Sequence, residues 1–243
     1  MSNNSIIYMD IAELCGRVKS IGYFGSYTRE DYIEGVSDIN VFAITEDKSL
    51  LIELASNDFS PVVLSENDLQ KICSEGEPLC YYIIFDSKVV CGSINATFIK
   101  TQKTCERLKK QIVSFLQMSI EGFFRGDQIS SLSNAYKSFR SLIQWKYCLT
   151  HDMIPLSNKD LDNACKELNM QCATFDDIVN LRKVRMPITL WSLNKIYKEI
   201  NSQIHIPFPS PIKINELTKG KLSKILLNDK VYLITNEGDR IEV

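Results

Sequence analysis

The twenty-two residues from Ile21 to Phe42, IGYFGSYTREDYIEGVSDINVF, constrain the chain more than any other stretch. An apolar run ends in Gly25-Ser26, a polar loop follows, and a second apolar run opens with Ser37-Asp38-Ile39-Asn40. A glycine-serine turn at the end of a strand lets backbone N–H groups and a hydroxyl approach phosphate oxygens closely. A carboxylate opening the next strand can hold Mg²⁺ over the same phosphates. Asn40 follows Asp38 by two residues, so the period-two geometry of a strand puts both side chains on one face. Each piece has a plain structural reading as well: Gly25-Ser26 as a strand-to-loop turn, Asp38 as a loop cap, Arg29 as a solvated loop cation. Together, within one short span, they point to phosphate and metal.

Composition narrows the function classes. A formal net charge of −2 and a pI near 5.8 give no strong nucleic-acid signal, whose footprint would be basic. No apolar run approaches the roughly 20 residues that a membrane span requires. The start, MSNNSIIYMD, lacks a charged segment followed by an apolar one, so no signal peptide is expected and the protein reads as cytoplasmic. The eight cysteines (15, 73, 80, 91, 105, 148, 165, 172) contain no C-x-x-C pair and read as reduced thiols that pack as small core residues. A zinc site from Cys165, Cys172 and His151 is set aside, because its spacing matches no usual ligand pattern.

Along the chain the pattern changes character twice. Residues 1–93 alternate helical and strand signals. They comprise an opening helix through Ile11, Leu14, Cys15 and Val18, strands at 22–25, 39–44 and 61–64, and a helix over 47–55. A further helix is capped by Ser65 with Asp68 three residues later, and strands at 79–85 and 88–91 are joined by Asp86-Ser87. The expectation is an α/β (α+β) unit on a small mixed sheet. Residues 94–205 read as an all-α helical bundle: a helix ending near Gly122 or Gly126, then helices at 131–150, 157–168, 174–184 and 189–201. Residues 206–243 read as a proline-rich extended linker followed by a short C-terminal β-meander over 222–227, 231–235 and 241–243.

The pattern Gly25-Ser26 … Asp38-x-Asn40 resembles the GS…D-x-D signature of the nucleotidyltransferase superfamily, in its minimal, kanamycin nucleotidyltransferase-like branch, where a helical domain follows the catalytic one. The resemblance implies a nucleoside triphosphate held with Mg²⁺ and transfer of a nucleoside monophosphate to a hydroxyl acceptor. It makes Asp38 the catalytic, metal-binding carboxylate and places the nucleotide against Gly25, Ser26, Arg29 and Ser37. Asn40 stands where the second carboxylate belongs, and an amide oxygen brings a metal ligand without its charge. The third carboxylate has no match inside the strand at 61–64; Asp58 lies just before it, and Asp86 reads as a turn residue. The degenerate metal motif therefore leaves two expectations. One is an active transferase with weak or single-site Mg²⁺. The other is a degenerate homologue that binds a nucleotide, or a protein partner or second copy in an antitoxin-like role, through its helical face and tail. Tyr136 and Arg140, four residues apart on one helix, are a candidate contact from the helical part, against a plain core position for Tyr136.

Overall fold

The computed structural model describes residues 9–243, which fall in two compact units divided between Thr104 and Cys105. No helix among the described residues is long and apolar enough to cross a membrane.

The first unit carries a four-stranded mixed sheet of order β3-β2-β1-β4, with β1 at Ser20–Phe24, β2 at Asn40–Ile44, β3 at Ser60–Leu64 and β4 at Ser87–Gly92. β1 pairs antiparallel with β2 and β4, whereas β2 and β3 run parallel across helix α1 (Leu50–Ala55). The apolar run of β2 is buried on both faces, as its lack of alternation implies. Ile39, Val41 and Ala43 join the cluster of Ile11, Leu14, Leu50 and Leu54, while Phe42 and Ile44 join Leu69, Cys73 and Ile83 on the other side. The opening helix is a short 3-10 segment, Ile11–Gly16. Helix α2 (Glu66–Ser74) begins on the expected capping box. The Asp68 amide donates to Ser65 Oγ at 3.0 Å and the Ser65 amide donates back to the Asp68 carboxylate at 3.2 Å.

Residues 79–85, expected as a strand, form helix α3 (Pro78–Phe85). A short, wholly apolar run carries no period that separates strand from helix. Pro78 in the first turn pre-sets the helical φ, and this decides it.

In the second unit, helices α4 (Gln102–Phe124), α5 (Gln128–Cys148), α6 (Asn158–Glu167), α7 (Cys172–Lys183), α8 (Leu190–Gln203) and α9 (Pro211–Thr218) share one core with an antiparallel sheet of order β5-β6-β7. Its strands, β5 (Leu222–Leu227), β6 (Val231–Thr235) and β7 (Arg240–Glu242), lie where the meander was expected. The expected extended linker differs. Ser210 caps α9, with its Oγ accepting from the Lys213 amide at 3.3 Å, and Ile206, Phe208 and Ile214 are buried with Leu222, Ile225 and Leu233. The meander is thus part of the core rather than an appendage.

Small polar residues let α4 and α5 approach closely. Ser119 Oγ donates to the Ser131 carbonyl and Ser131 Oγ to the Ser119 carbonyl, each at 2.8 Å. The buried Glu121 carboxylate then ties α4 to β5, accepting from the Ile225 amide at 2.8 Å and from Gln117 Nε2 at 2.9 Å. Glu121→Ala leaves that amide buried without its acceptor and is expected to destabilise the protein by about 2–3 kcal/mol in urea unfolding, whereas Glu121→Gln, which keeps an accepting oxygen, is expected to lose much less.

The reading of the cysteines as reduced thiols is overturned. All eight pair, as Cys15–Cys91 and Cys73–Cys80 in the first unit and Cys105–Cys148 and Cys165–Cys172 in the second. These partners are 76, 7, 43 and 7 residues apart, spacings that match no local motif. The Cys15–Cys91 and Cys105–Cys148 pairings are set by the packing of elements distant in sequence.

Candidate functional site

One end of the four-stranded sheet gathers the residues singled out by sequence. Phe24 pairs with Asn40 on one side and with Ser87 on the other, and Asn40 pairs in turn with Ser60. The Gly25-Ser26 turn, the first residue of β2, the first residue of β3 and the start of β4 therefore stand in a row.

Gly25 leaves β1 with φ +82°, a left-handed conformation that glycine adopts without strain. Its amide donates to the Asp86 carbonyl at 3.1 Å. A Cβ at this position would come within 3.2 Å of Asn40 Nδ2, so the missing side chain is what lets the amide of Asn40 lie against the turn. Gly25–Thr28 then form a single 3-10 turn, closed by Thr28 Oγ1 donating to the Gly25 carbonyl at 2.7 Å and to the Asp86 carbonyl at 3.1 Å.

Arg29 is the most heavily engaged group of the site. Its Nε donates to Asp31 at 3.0 Å and its Nη1 pairs with the carboxylate of Asp86. Side-chain exposure is 13% for Arg29, 11% for Asp31 and 4% for Asp86, so this is a nearly dry carboxylate–guanidinium–carboxylate arrangement. Burial pulls the Arg29 pKa down, and the hydrogen bonds and charges of Asp86 and Asp31 outweigh it, leaving the guanidinium above its ordinary value. Its charge is already spent on two carboxylates of the same unit.

Ser37 closes the loop before β2. Its Oγ accepts from the Ile33 amide at 3.1 Å and its own amide donates to the Ile33 carbonyl at 2.8 Å. Asp38 follows it exposed to solvent, and Asn40 is half-buried at the head of β2. The residue opposite Asn40 on the parallel strand is Ser60, not a carboxylate. Asp58, exposed and at φ +61°, ends the α1–β3 connection two residues earlier. No group of three or more His, Cys, Asp and Glu side chains arranged to hold a metal occurs among the described residues. The two residues that sequence named as metal ligands, Asp38 and Asn40, thus offer one carboxylate and one amide just before and at the head of β2.

Asp86 and Asp31 are the residues that sequence reading did not single out for this place. Asp86 is buried between α3 and β4, and its carbonyl and carboxylate both face the Gly25–Arg29 turn. The β1–β4 pairing, across some sixty positions, brings it there, and no local spacing announces such a partner.

In the second unit Tyr136 is a core residue. Its hydroxyl donates to Asn158 Oδ1 at 2.6 Å, the Arg182 guanidinium lies 4.0 Å from its ring centroid, and Phe175 stacks on it. Arg140 is half-buried one helical turn on. Cys165 and Cys172 are bonded to each other, and His151 pairs with Glu167 at 2.9 Å. No protein-family model matches this sequence, and no curated protein matches it.

Proposed function

We propose that the first unit is a nucleotidyltransferase-like domain that binds a nucleoside triphosphate with a single Mg²⁺, and that it binds more readily than it turns over. The observation that carries this reading is the alignment of Gly25-Ser26 with Asn40 at one end of the sheet, with Asp38 exposed just ahead of it. Ser26 offers a hydroxyl, and the turn offers backbone amides, to phosphate oxygens. Asp38 and the Asn40 amide oxygen offer the metal ligands. The cation supplies charge neutralisation and, in an active enzyme, a lowered pKa for the acceptor hydroxyl.

Local charge makes the metal a condition of binding. Asp31 and Asp86 set two carboxylates against the one guanidinium of Arg29, and Asp38 stands exposed ahead of β2. Bare triphosphate meets a stronger repulsive field there than its Mg²⁺ complex, in which the cation offsets part of the phosphate charge. With Arg29 already neutralised, its part is to hold the turn in shape rather than to grip phosphate.

Turnover is weak in this reading because Asn40 and Ser60 occupy positions where carboxylates would complete a two-metal site. The test incubates the protein with labelled ATP, CTP, GTP and UTP and Mg²⁺ and follows pyrophosphate release. The parent is expected to be close to inert, and Asn40→Asp to raise release at least tenfold, about 1.4 kcal/mol of transition-state stabilisation. An Asn40→Asp variant that binds no nucleotide contradicts the reading.

A second reading, an interaction module, is favoured by the α7–α8 connection. Val184 and Met186 there, and Trp191 in the first turn of α8, are exposed at 64%, 55% and 76%. Aromatic and Met side chains left in water within one short stretch are the usual anchors of a protein interface. The C-terminal meander is a poor handle by comparison, since its Leu222, Ile225 and Leu233 are core.

A further inference from the structure

We propose that the Cys15–Cys91 disulfide is a reducible clasp on the first unit, opened by thiol–disulfide exchange before the other three, and that its opening loosens both β4 and the Gly25–Arg29 turn. This rests on the pairing and packing of the chain and does not depend on the nucleotide reading.

Exchange requires a thiolate to reach a disulfide sulfur, so access decides the order of reduction. Cys73 and Cys80 are 1% and 0% exposed, Cys105 and Cys148 are 7% and 0%, and Cys165 is 0% beside a half-exposed Cys172. Cys15–Cys91 is the pair of the four in which neither residue is buried.

Its position gives the bond leverage. β4 is an edge strand held on one side by β1, with Lys88, Val89 and Val90 exposed. The ladder to β1 is interrupted by a register shift between Ile21 and Gly22, next to Cys91, the partner of Ile21. After Gly92, residues 93–101 carry no regular structure. The disulfide pins this far end of β4 to the opening 3-10 segment, whose Ile11 and Leu14 are buried in the core. At the near end, the Asp86 carbonyl and carboxylate hold Gly25, Thr28 and Arg29. A strand freed at Cys91 thus transmits its motion to the turn.

The step balances with a dithiol as reductant. One of its thiolates attacks a sulfur of the Cys15–Cys91 bond and displaces the other cysteine as a thiolate. The second thiol of the reagent then attacks the mixed disulfide, and the reagent departs as its own disulfide. Two electrons and two protons pass to the protein, leaving Cys15 and Cys91 as thiols.

The test titrates the native protein with dithiothreitol, quenches by alkylation, maps the labelled cysteines by peptide mass spectrometry, and follows amide exchange in parallel. Cys15 and Cys91 are expected to label first, with Cys73, Cys80, Cys105, Cys148, Cys165 and Cys172 unlabelled. Exchange over residues 20–29 and 86–92 is expected to rise several-fold at the same dithiothreitol concentration. A Cys15→Ser, Cys91→Ser double variant is expected to show that faster exchange without reductant. Another pair labelling first, free thiols in the unreduced denatured protein, or unchanged exchange once Cys15 and Cys91 are labelled would each overturn the proposal. Should the double variant fail to fold, the titration alone decides.

Discussion

Complete reduction is expected to take most of the stability away from this protein. Removing one native disulfide from a small domain costs about 2–5 kcal/mol, and more where the closed loop is long. Cys15–Cys91 and Cys105–Cys148 close loops of 76 and 43 residues, spanning most of the first unit and the α4–α5 pair. Whole domains are stable by only about 5–15 kcal/mol, so the loss of four such bonds reaches the scale of the total. The released thiols still pack as small apolar groups, which offsets part of the loss, and the costs do not add strictly. The measurement compares thermal unfolding with and without a phosphine reductant under conditions that reduce all eight cysteines. The expected result is a fall in the midpoint of tens of degrees, or no cooperative transition at all. A midpoint within a few degrees of the oxidised protein would show that the pairings contribute little.

Arg29→Ala is expected to cost about 3–5 kcal/mol of stability, because it leaves Asp86 and Asp31 as buried carboxylates without their cation. The magnitude comes from the dry surroundings rather than from the pair itself, since an exposed ion pair contributes roughly 0–1 kcal/mol. Two further variants follow. Arg29→Ala with Asp86→Ala should recover much of the loss, since no unpaired carboxylate then remains at position 86. Arg29→Lys should recover only part, because one ammonium cannot reproduce a fork that serves two carboxylates at once. Denaturant unfolding of the three proteins measures this. If Arg29→Ala instead weakened nucleotide binding while leaving the unfolding midpoint in place, Arg29 would be a phosphate ligand and not a strap.

Much of this fold is legible in local sequence, and the exceptions have physical causes. The Ser65–Asp68 and Ser157–Asp160 capping boxes are local, and both form as their spacing implies. The buried central strand is legible in the apolar run 39–44, and the meander in its turn residues. Residues 79–85 are not legible by period, since every side chain from Leu79 to Phe85 is apolar; the signal that decides them is Pro78. Pro211 marks the start of α9 in the same way, behind the Ser210 cap, hidden there among prolines that suggest an extended chain. The site divides in the same way. Gly25, Asp38 and Asn40 stand out through spacing within one hairpin-sized span. Asp86 and the Cys15–Cys91 and Cys105–Cys148 bonds depend on tertiary pairing across 43 to 76 positions, which no short window along the chain contains.

The Gly25-Ser26 turn and the Asp38 carboxylate stand or fall together on one titration. Calorimetry of the oxidised protein with ATP is expected to show saturable binding in Mg²⁺ and none in EDTA, because the metal must offset the carboxylates around the turn. Asp38→Asn, a substitution at an exposed position, is expected to weaken the Mg²⁺-dependent binding at least tenfold, about 1.4 kcal/mol. Heat that is identical with Mg²⁺ and EDTA, or an Asp38→Asn variant that binds as tightly as the parent, would contradict a metal-assisted nucleotide site at this end of the sheet.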